Sequence, residues 1–227
     1  MRRRAVHHFG VMNSSEIARI TDFSLLKPGA TVDDIRRLCE EAIRYGVYSV
    51  CVNPSFISLA RESLMNSDIK VTTVIGFPLG MTLPQVKVYE AIEAVLLGAD
   101  ELDIVMNTGM ARSGDWDYAG REISDIIYAT KGVVHKIIIE TCLLTRDEKI
   151  RAAEVVIATG AEFIKTSTGF SSAGATIEDV RLLKSVAGDR CKIKAAGGIK
   201  TSRQALELIR AGASRIGTSH SGIFENL

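Results

Sequence analysis

Four segments of the chain repeat one local pattern. YGVYSVCV, LGADELDI, TGAEFIKT and AGASRIGT each place a glycine between the end of a helical stretch and a short strand-like run. A glycine there lets a helix stop in a left-handed cap, and runs of this length and residue type read as strands. Recurrence of helix, glycine and strand is the mark of repeated βα units, which build a parallel sheet with helices outside it. Strand candidates fall at 17–24, 47–52, 69–76, 100–106, 134–140, 161–167, 191–196 and 213–217. Eight strands in ~210 residues leave ~26 residues per unit, so the predicted fold is α/β, a single-domain (β/α)8 TIM barrel. A doubly wound open sheet fits less well, because the strand count is high and no GxGxxG turn follows the first strand.

The stretches between the strands are amphipathic: TVDDIRRLCEEAIRYG, LPQVKVYEAIEAVLLG, TRDEKIRAAEVVIATG, TIEDVRLLKSVAG and TSRQALELIRAG. Thr31, Thr145 and Thr176 each precede acidic first-turn residues, and Gly46, Gly98, Gly160 and Gly212 stand at helix ends. Hydroxyl before, glycine after, is how a helix satisfies its orphan amides and carbonyls.

With 227 residues and 46% hydrophobic content the chain can bury one substantial core. Lysine and arginine (28) nearly balance aspartate and glutamate (27), so no global field points to nucleic acid or membrane. The basic start MRRRAVHHFGVM is read as a solvated extension over residues 1–12, ahead of the barrel at 13–227. It has no apolar stretch long enough for a signal peptide, and no run approaches the ~18 residues of a membrane span. Cys39, Cys51, Cys142 and Cys191 form no CxxC, which suits a reducing cytoplasm better than a zinc site or disulfide framework.

A barrel places its reactive groups at the C-terminal ends of the strands. Two lysines sit there on consecutive strands, Lys165 in EFIKTSTGF and Lys194 in CKIKAAGGI. Two cations aimed into one site repel each other, and desolvation acts in the same sense. Either effect lowers a lysine pKa and frees an amine for nucleophilic attack. Alternation in ELDIVMN puts Glu101 and Asp103 on one face, so Asp103 either relays protons or holds the lysines as an ion pair. Lys136 and Glu140 can share a face of the fifth strand, with Lys136 a structural partner in the substrate-facing polar core. Thr166, Ser167 and Thr168 can hold a substrate oxygen or a water, and Gly169 allows a ligand close approach. Gly197 and Gly198 after the seventh strand, with Gly217, Ser219 and His220 after the eighth, fall where barrels hold phosphate.

The segments DFSLLKP, CVNP, VIGFPLG, ELDIVMN, KIIIETCLLT, FIKTSTGF, IKAAGGI and RIGTS resemble the deoxyribose-phosphate aldolase family, in order and spacing, from about residue 16 onward. The resemblance implies a class I aldolase that reversibly splits 2-deoxy-D-ribose 5-phosphate into D-glyceraldehyde 3-phosphate and acetaldehyde. It implies Lys165 as the Schiff-base lysine, Lys194 as the second active-site lysine and Asp103 as the proton relay. No metal or other cofactor is implied, and no HxH or HxxxH cluster suggests one. The expected partners are a small phosphosugar and further copies of the chain, as a dimer or tetramer. Two positions depart from the family pattern: Asp22-Phe23-Ser24 replaces D-H-T, and Ser219-His220 replaces a serine pair. Two alternatives stay open. One is a Schiff-base aldolase for a different phosphosugar, and the other a non-catalytic phosphosugar-binding barrel.

Overall fold

The computed structural model describes residues 12–224, and the expected extension lies outside them apart from Met12, which packs on the core. Eight parallel strands close on themselves in sequence order, with the eighth pairing back to the first. They are β1 (Thr21–Leu25), β2 (Ser49–Val52), β3 (Lys70–Ile75), β4 (Glu101–Val105), β5 (Val134–Ile138), β6 (Phe163–Lys165), β7 (Lys192–Ala196) and β8 (Arg215–Thr218). The helices are α1 (Ser14–Ala18), α2 (Val32–Tyr45), α3 (Ile57–Ser63), α4 (Pro84–Leu96) and α5 (Thr108–Arg112), then α6 (Trp116–Ala129), α7 (Arg146–Thr159), α8 (Ile177–Ala187) and α9 (Ser202–Ala211). The fold is the (β/α)8 barrel that the repeated units predict.

The caps work as their residue types require. Thr31 and Thr145 form reciprocal capping boxes with Asp34 and Glu148, and Thr176 accepts the amide of Asp179. Gly46 and Gly160 end α2 and α7 in left-handed conformation, at φ 65° and 81°. α4 stops one residue earlier than expected, with its cap at Leu97 rather than Gly98.

Residues 17 and 18, expected in the first strand, are helical. Asn13 accepts the amide of Glu16, and the Glu16 carboxylate accepts that of Asn13, so a capping box holds α1 there and β1 starts at Thr21. No full helix follows β8 among the described residues. A single 3-10 turn, Ser221–Ile223, instead carries Phe224 onto Phe23 and Tyr45, with ring centroids 5.5 Å and 4.8 Å apart. Phe23 therefore faces the helix layer, and its departure from the family pattern leaves the barrel interior untouched.

The apolar core lies between the sheet and the helices, built from outward residues such as Val50, Leu102, Ile104, Ile137, Ile164 and Ile216. The barrel interior is different. Asp22, Glu101, Asp103, Lys136, Lys165, Lys194 and Arg215 all project into it and are at most 7% exposed. Buried charges are costly unless paired, and a stable core would not need seven of them.

Candidate active site

Strand pairing explains how these charges meet. The register sets Asp103 beside Lys136, Lys165 beside Lys194, and Lys194 beside Arg215. The Asp103 carboxylate is the hub. Its Oδ2 accepts from Lys165 Nζ at 2.7 Å and Lys194 Nζ at 2.6 Å, and its Oδ1 accepts from Lys136 Nζ at 2.8 Å. Lys194 also reaches Asp22 at 2.5 Å, and Lys136 reaches Glu101 at 2.6 Å. Below them Arg215 bridges Asp22 at 2.7 Å and Glu101 at 2.9 Å, its guanidinium lying 3.6 Å from the centre of the Tyr48 ring. Ser49 donates to Asp22 at 2.8 Å.

Four basic side chains thus face three carboxylates. If every group were ionised, the interior would hold one excess positive charge with little water to solvate it. The balance closes if a single lysine is neutral, and the local environments say which. Burial pushes the Lys165 pKa down; Asp103 opposes the fall and Lys194 adds to it, with a lowered value as the result. Burial acts the same way on Lys194, but Asp103 and Asp22 together outweigh it and the pKa rises. Lys136, held by Asp103, Asp22 and Glu101, is also raised despite its burial. Burial would raise Asp22 and Asp103, yet the surrounding cations hold both well below the ordinary carboxylate range. The expected lowering of a lysine pKa by repulsion and desolvation therefore falls on Lys165, while Lys194 moves the other way.

Lys165 is also the one member of this network that opens onto a cleft, of about 440 Å³, at the C-terminal mouth of the barrel. Thr168, Gly169, Gly197, Gly198, Gly217, Ser219 and His220 line the same cleft, while Lys194, Asp103 and Lys136 lie sealed beneath it. Ser24, Lys27, Phe170 and Lys200 line it too, and no acidic residue does. Sequence reasoning missed these four lining residues, and it gave Arg215 no role although RIGT alternates Arg215 inward with Gly217. That glycine is needed. A methyl group at 217 would stand 2.9 Å from Ala196 Cβ and 3.1 Å from Lys194 Cε, where the lysine crosses toward its carboxylates.

Several expected contacts differ. Glu140 is not in the charged network: β5 ends at Ile138, and Glu140, still buried, follows in left-handed conformation, φ 51°. Its carboxylate accepts from both the Thr168 amide and the Thr168 hydroxyl, fixing the loop after β6. Thr166 spends its hydroxyl between β6 and β7, donating to the Ala196 carbonyl and accepting the Ala196 amide, both at 3.1 Å. The hydroxyl of Ser167 is buried and does not line the cleft, so of the three only Thr168 faces it. The amide of His220 donates to Thr218 Oγ1 at 3.1 Å, which takes it away from any ligand. The Lys200 and Thr201 amides before α9 donate to Gln204 and are likewise committed. Cys51 points inward among the same charges, but burial pushes its thiol up to about 11, so it is no nucleophile near neutral pH.

Comparison with known proteins agrees with this geometry. The model of the DeoC/LacD family aldolases matches residues 12–223. A deoxyribose-phosphate aldolase of Thermococcus kodakarensis is 53% identical over 216 residues, spanning 93% of this chain and 96% of its own. One from Aciduliprofundum boonei is 50% identical over 212 residues, spanning 92% and 96%. Among solved structures, a deoxyribose phosphate aldolase of Aeropyrum pernix, described as a unique tetramer, superposes with TM-score 0.89 at 32% identity, covering 94% of this chain and 91% of its own. A second, the aldolase QR15, gives TM-score 0.88 at 45% identity over 92% and 93%. By family model and by identity along nearly its whole length, the chain belongs to the DeoC/LacD family of aldolases.

Proposed function

We propose that the chain is a class I aldolase that reversibly cleaves 2-deoxy-D-ribose 5-phosphate into D-glyceraldehyde 3-phosphate and acetaldehyde, with Lys165 as the Schiff-base lysine. One observation carries the mechanistic part: Lys165 alone joins the charged interior to the cleft, and of the four basic groups inside the barrel it alone is driven toward the neutral amine. The neutral amine attacks the sugar carbonyl, and loss of water gives an iminium that withdraws electrons from the adjacent carbon. The C–C bond then breaks, the electron pair passes into an enamine, and glyceraldehyde 3-phosphate leaves. Protonation of the enamine carbon and hydrolysis of the regenerated iminium release acetaldehyde and free Lys165.

Each step moves a proton, and the network beneath can supply one. Lys194, raised in pKa and 2.6 Å from Asp103 Oδ2, is the charged donor, and Asp103 couples it to Lys165 through one shared oxygen. Lys136 and Arg215 hold Asp103 and Asp22 ionised. The phosphate is assigned to the far wall of the cleft, against Gly197, Gly198 and the loop from Gly217 to His220, with Lys27 and Lys200 on the rim. A dianion suits a wall without carboxylates. His220 contributes at most its imidazole, since its amide is committed. In keeping with the tetrameric relative, the enzyme is read as a homo-oligomer of the cytoplasm.

Borohydride reduction in the presence of the sugar phosphate, followed by peptide mapping, tests the reading. The adduct is expected on Lys165. Labelling of Lys194 or Lys136 would reassign the nucleophile, and no labelling would leave a phosphosugar-binding barrel.

A further inference from the structure

Arg215 is the first residue of β8, at the end of the barrel away from the cleft, and it does not line that cleft. It is nonetheless held on every side. Its Nη1 bridges Asp22 of β1 at 2.7 Å and Glu101 of β4 at 2.9 Å. Its guanidinium lies 3.6 Å from the centre of the Tyr48 ring and 5.2 Å from that of Phe163, and the residue is only 6% exposed. Lys136 of β5 closes on the same two carboxylates, reaching Glu101 at 2.6 Å and Asp22 at 3.5 Å. Lys194 of β7, the neighbour of Arg215 in register, takes the other oxygen of Asp22 at 2.5 Å. Lys192, which is exposed, lies 5.5 Å from the centre of the Phe163 ring.

We infer that Arg215 is a positioning residue for the nucleophile: a fixed cation, held by Asp22 and Glu101, that keeps the barrel interior balanced while Lys165 stays a neutral amine. The inference rests on the aldolase reading only for the use to which that amine is put. With Lys165 neutral, Arg215, Lys136 and Lys194 match Asp22, Glu101 and Asp103 one for one. Without Arg215 the same state carries one surplus negative charge, buried with little water. Each carboxylate still has a lysine within 2.6 Å, and an amine is a far stronger base than a carboxylate. The proton that restores balance therefore goes to Lys165. The groups facing Lys165 offer no other outlet. Asp103 of β4 and Lys194 of β7 are ionised, and the thiol of Cys51 on β2 is already protonated, its pKa pushed up to about 11 by burial.

The residue type fits this task. A guanidinium does not shed its proton near neutral pH, so where one base of a cluster must be neutral, an arginine is never that base. Burial works against the Arg215 charge, but Asp22 and Glu101 outweigh it and hold the pKa above its ordinary value. The planar fork also spans two carboxylates while its face lies against an aromatic ring, which an ammonium cannot do.

Competitive labelling measures the Lys165 amine without any catalysis. The full chain is treated with a trace of acetic anhydride at a series of pH values, and acetylation of Lys165 is followed by peptide mapping. The midpoint of labelling reports the pKa. Arg215→Met is expected to move it up by about one pH unit and Glu101→Gln to move it down by about as much. The double variant is expected to return it to the wild-type value, because a cation and a carboxylate leave together while Lys136 keeps Asp103 at 2.8 Å. The acid limb of kcat/KM for 2-deoxy-D-ribose 5-phosphate should follow the same order. Circular dichroism checks each fold, and if Arg215→Met does not fold, Glu101→Gln and the double variant carry the test. Midpoints unmoved in the single variants would reduce Arg215 to a structural strut. A double variant displaced as far as Arg215→Met would trace the shift to disturbed packing, and either result overturns the inference. Failure of borohydride to label Lys165 would overturn the aldolase reading instead, since the acetylation midpoints do not depend on it.

Discussion

Lys165 and Lys194 are neighbours in register on adjacent strands and share one carboxylate oxygen, yet their environments move them in opposite directions. The difference is Asp22, which Lys194 reaches at 2.5 Å and to which Lys165 makes no ion pair. A second carboxylate outweighs desolvation for one amine, and its absence leaves the other lowered. Replacing Lys194 with methionine removes a nearby cation and frees Asp103 Oδ2 for Lys165 alone, and both changes raise the Lys165 pKa. The fraction of free amine at a given pH then falls. The acid limb of kcat/KM for Lys194→Met should move to higher pH, and kcat should drop by about 10²–10⁴ through loss of the proton donor. An acid limb at the wild-type position would show that burial and Asp103 alone set the Lys165 pKa. Much of this site was legible beforehand. The strand-end positions of Lys165 and Lys194 and the alternation that turns Asp103 inward are local properties of the sequence. The unequal partition of charge between the lysines was not, because it depends on Asp22, far away in the chain and adjacent only once β8 closes the barrel onto β1.

At the scale of elements, α4 and α6 show where local pattern and residue type disagree. Lys87, Ala91 and Ala94 fall on one helical face, as do Ala119, Glu122, Ile123 and Ile126, so period marks Lys87 and Glu122 as buried while their chemistry marks them as solvated. The structure sides with period. The two side chains meet at 2.9 Å with no exposure, Lys87 also donates to the Val105 carbonyl at 2.9 Å, and Glu122 accepts the Asn107 amide at 3.2 Å. Neither helix alone could reveal a pair whose members are 35 positions apart (Lys87 and Glu122) and join the ends of β3 and β4. Burial lowers the lysine and raises the glutamic acid, each opposed by its partner. Lys87→Met should cost about 3–5 kcal/mol in urea denaturation by leaving Glu122 buried without its cation. The double variant Lys87→Met with Glu122→Leu should recover much of that loss. A double variant as unstable as the sum of the two singles would mean that the pair acts through its carbonyl and amide contacts instead of through charge.

For the whole molecule, the repeated helix–glycine–strand unit was enough to specify the closed barrel, because each unit carries its own caps and its own outward apolar residues. What the units leave unspecified is the filling of the barrel, which eight strands contribute one or two residues at a time. Here that filling is ionic, and it makes global stability depend on pH in a definite sense. Asp22 and Asp103 have folded pKa values depressed below the unfolded reference of 3.8. A depressed carboxylate contributes stability that is complete above the unfolded pKa and is lost as pH falls through the folded one. Lys165 works at the other end. Its folded pKa is lowered from 10.5, so stability rises with pH between the folded and unfolded values, where the unfolded chain still holds a proton that the folded one has lost. Below about pH 4 each depressed carboxylate adds up to ~1.4 kcal/mol per pH unit to the slope, or ~2.7 for the two together. Urea midpoints measured from neutral pH down to 3 should therefore be level at first and then fall steeply. Asp22→Asn should start lower, because Lys194 and Arg215 lose a counter-charge, and its acid slope should be about half as steep. An unchanged slope in Asp22→Asn would show that the acid transition is set by surface carboxylates and that the buried network passes through it without taking up protons.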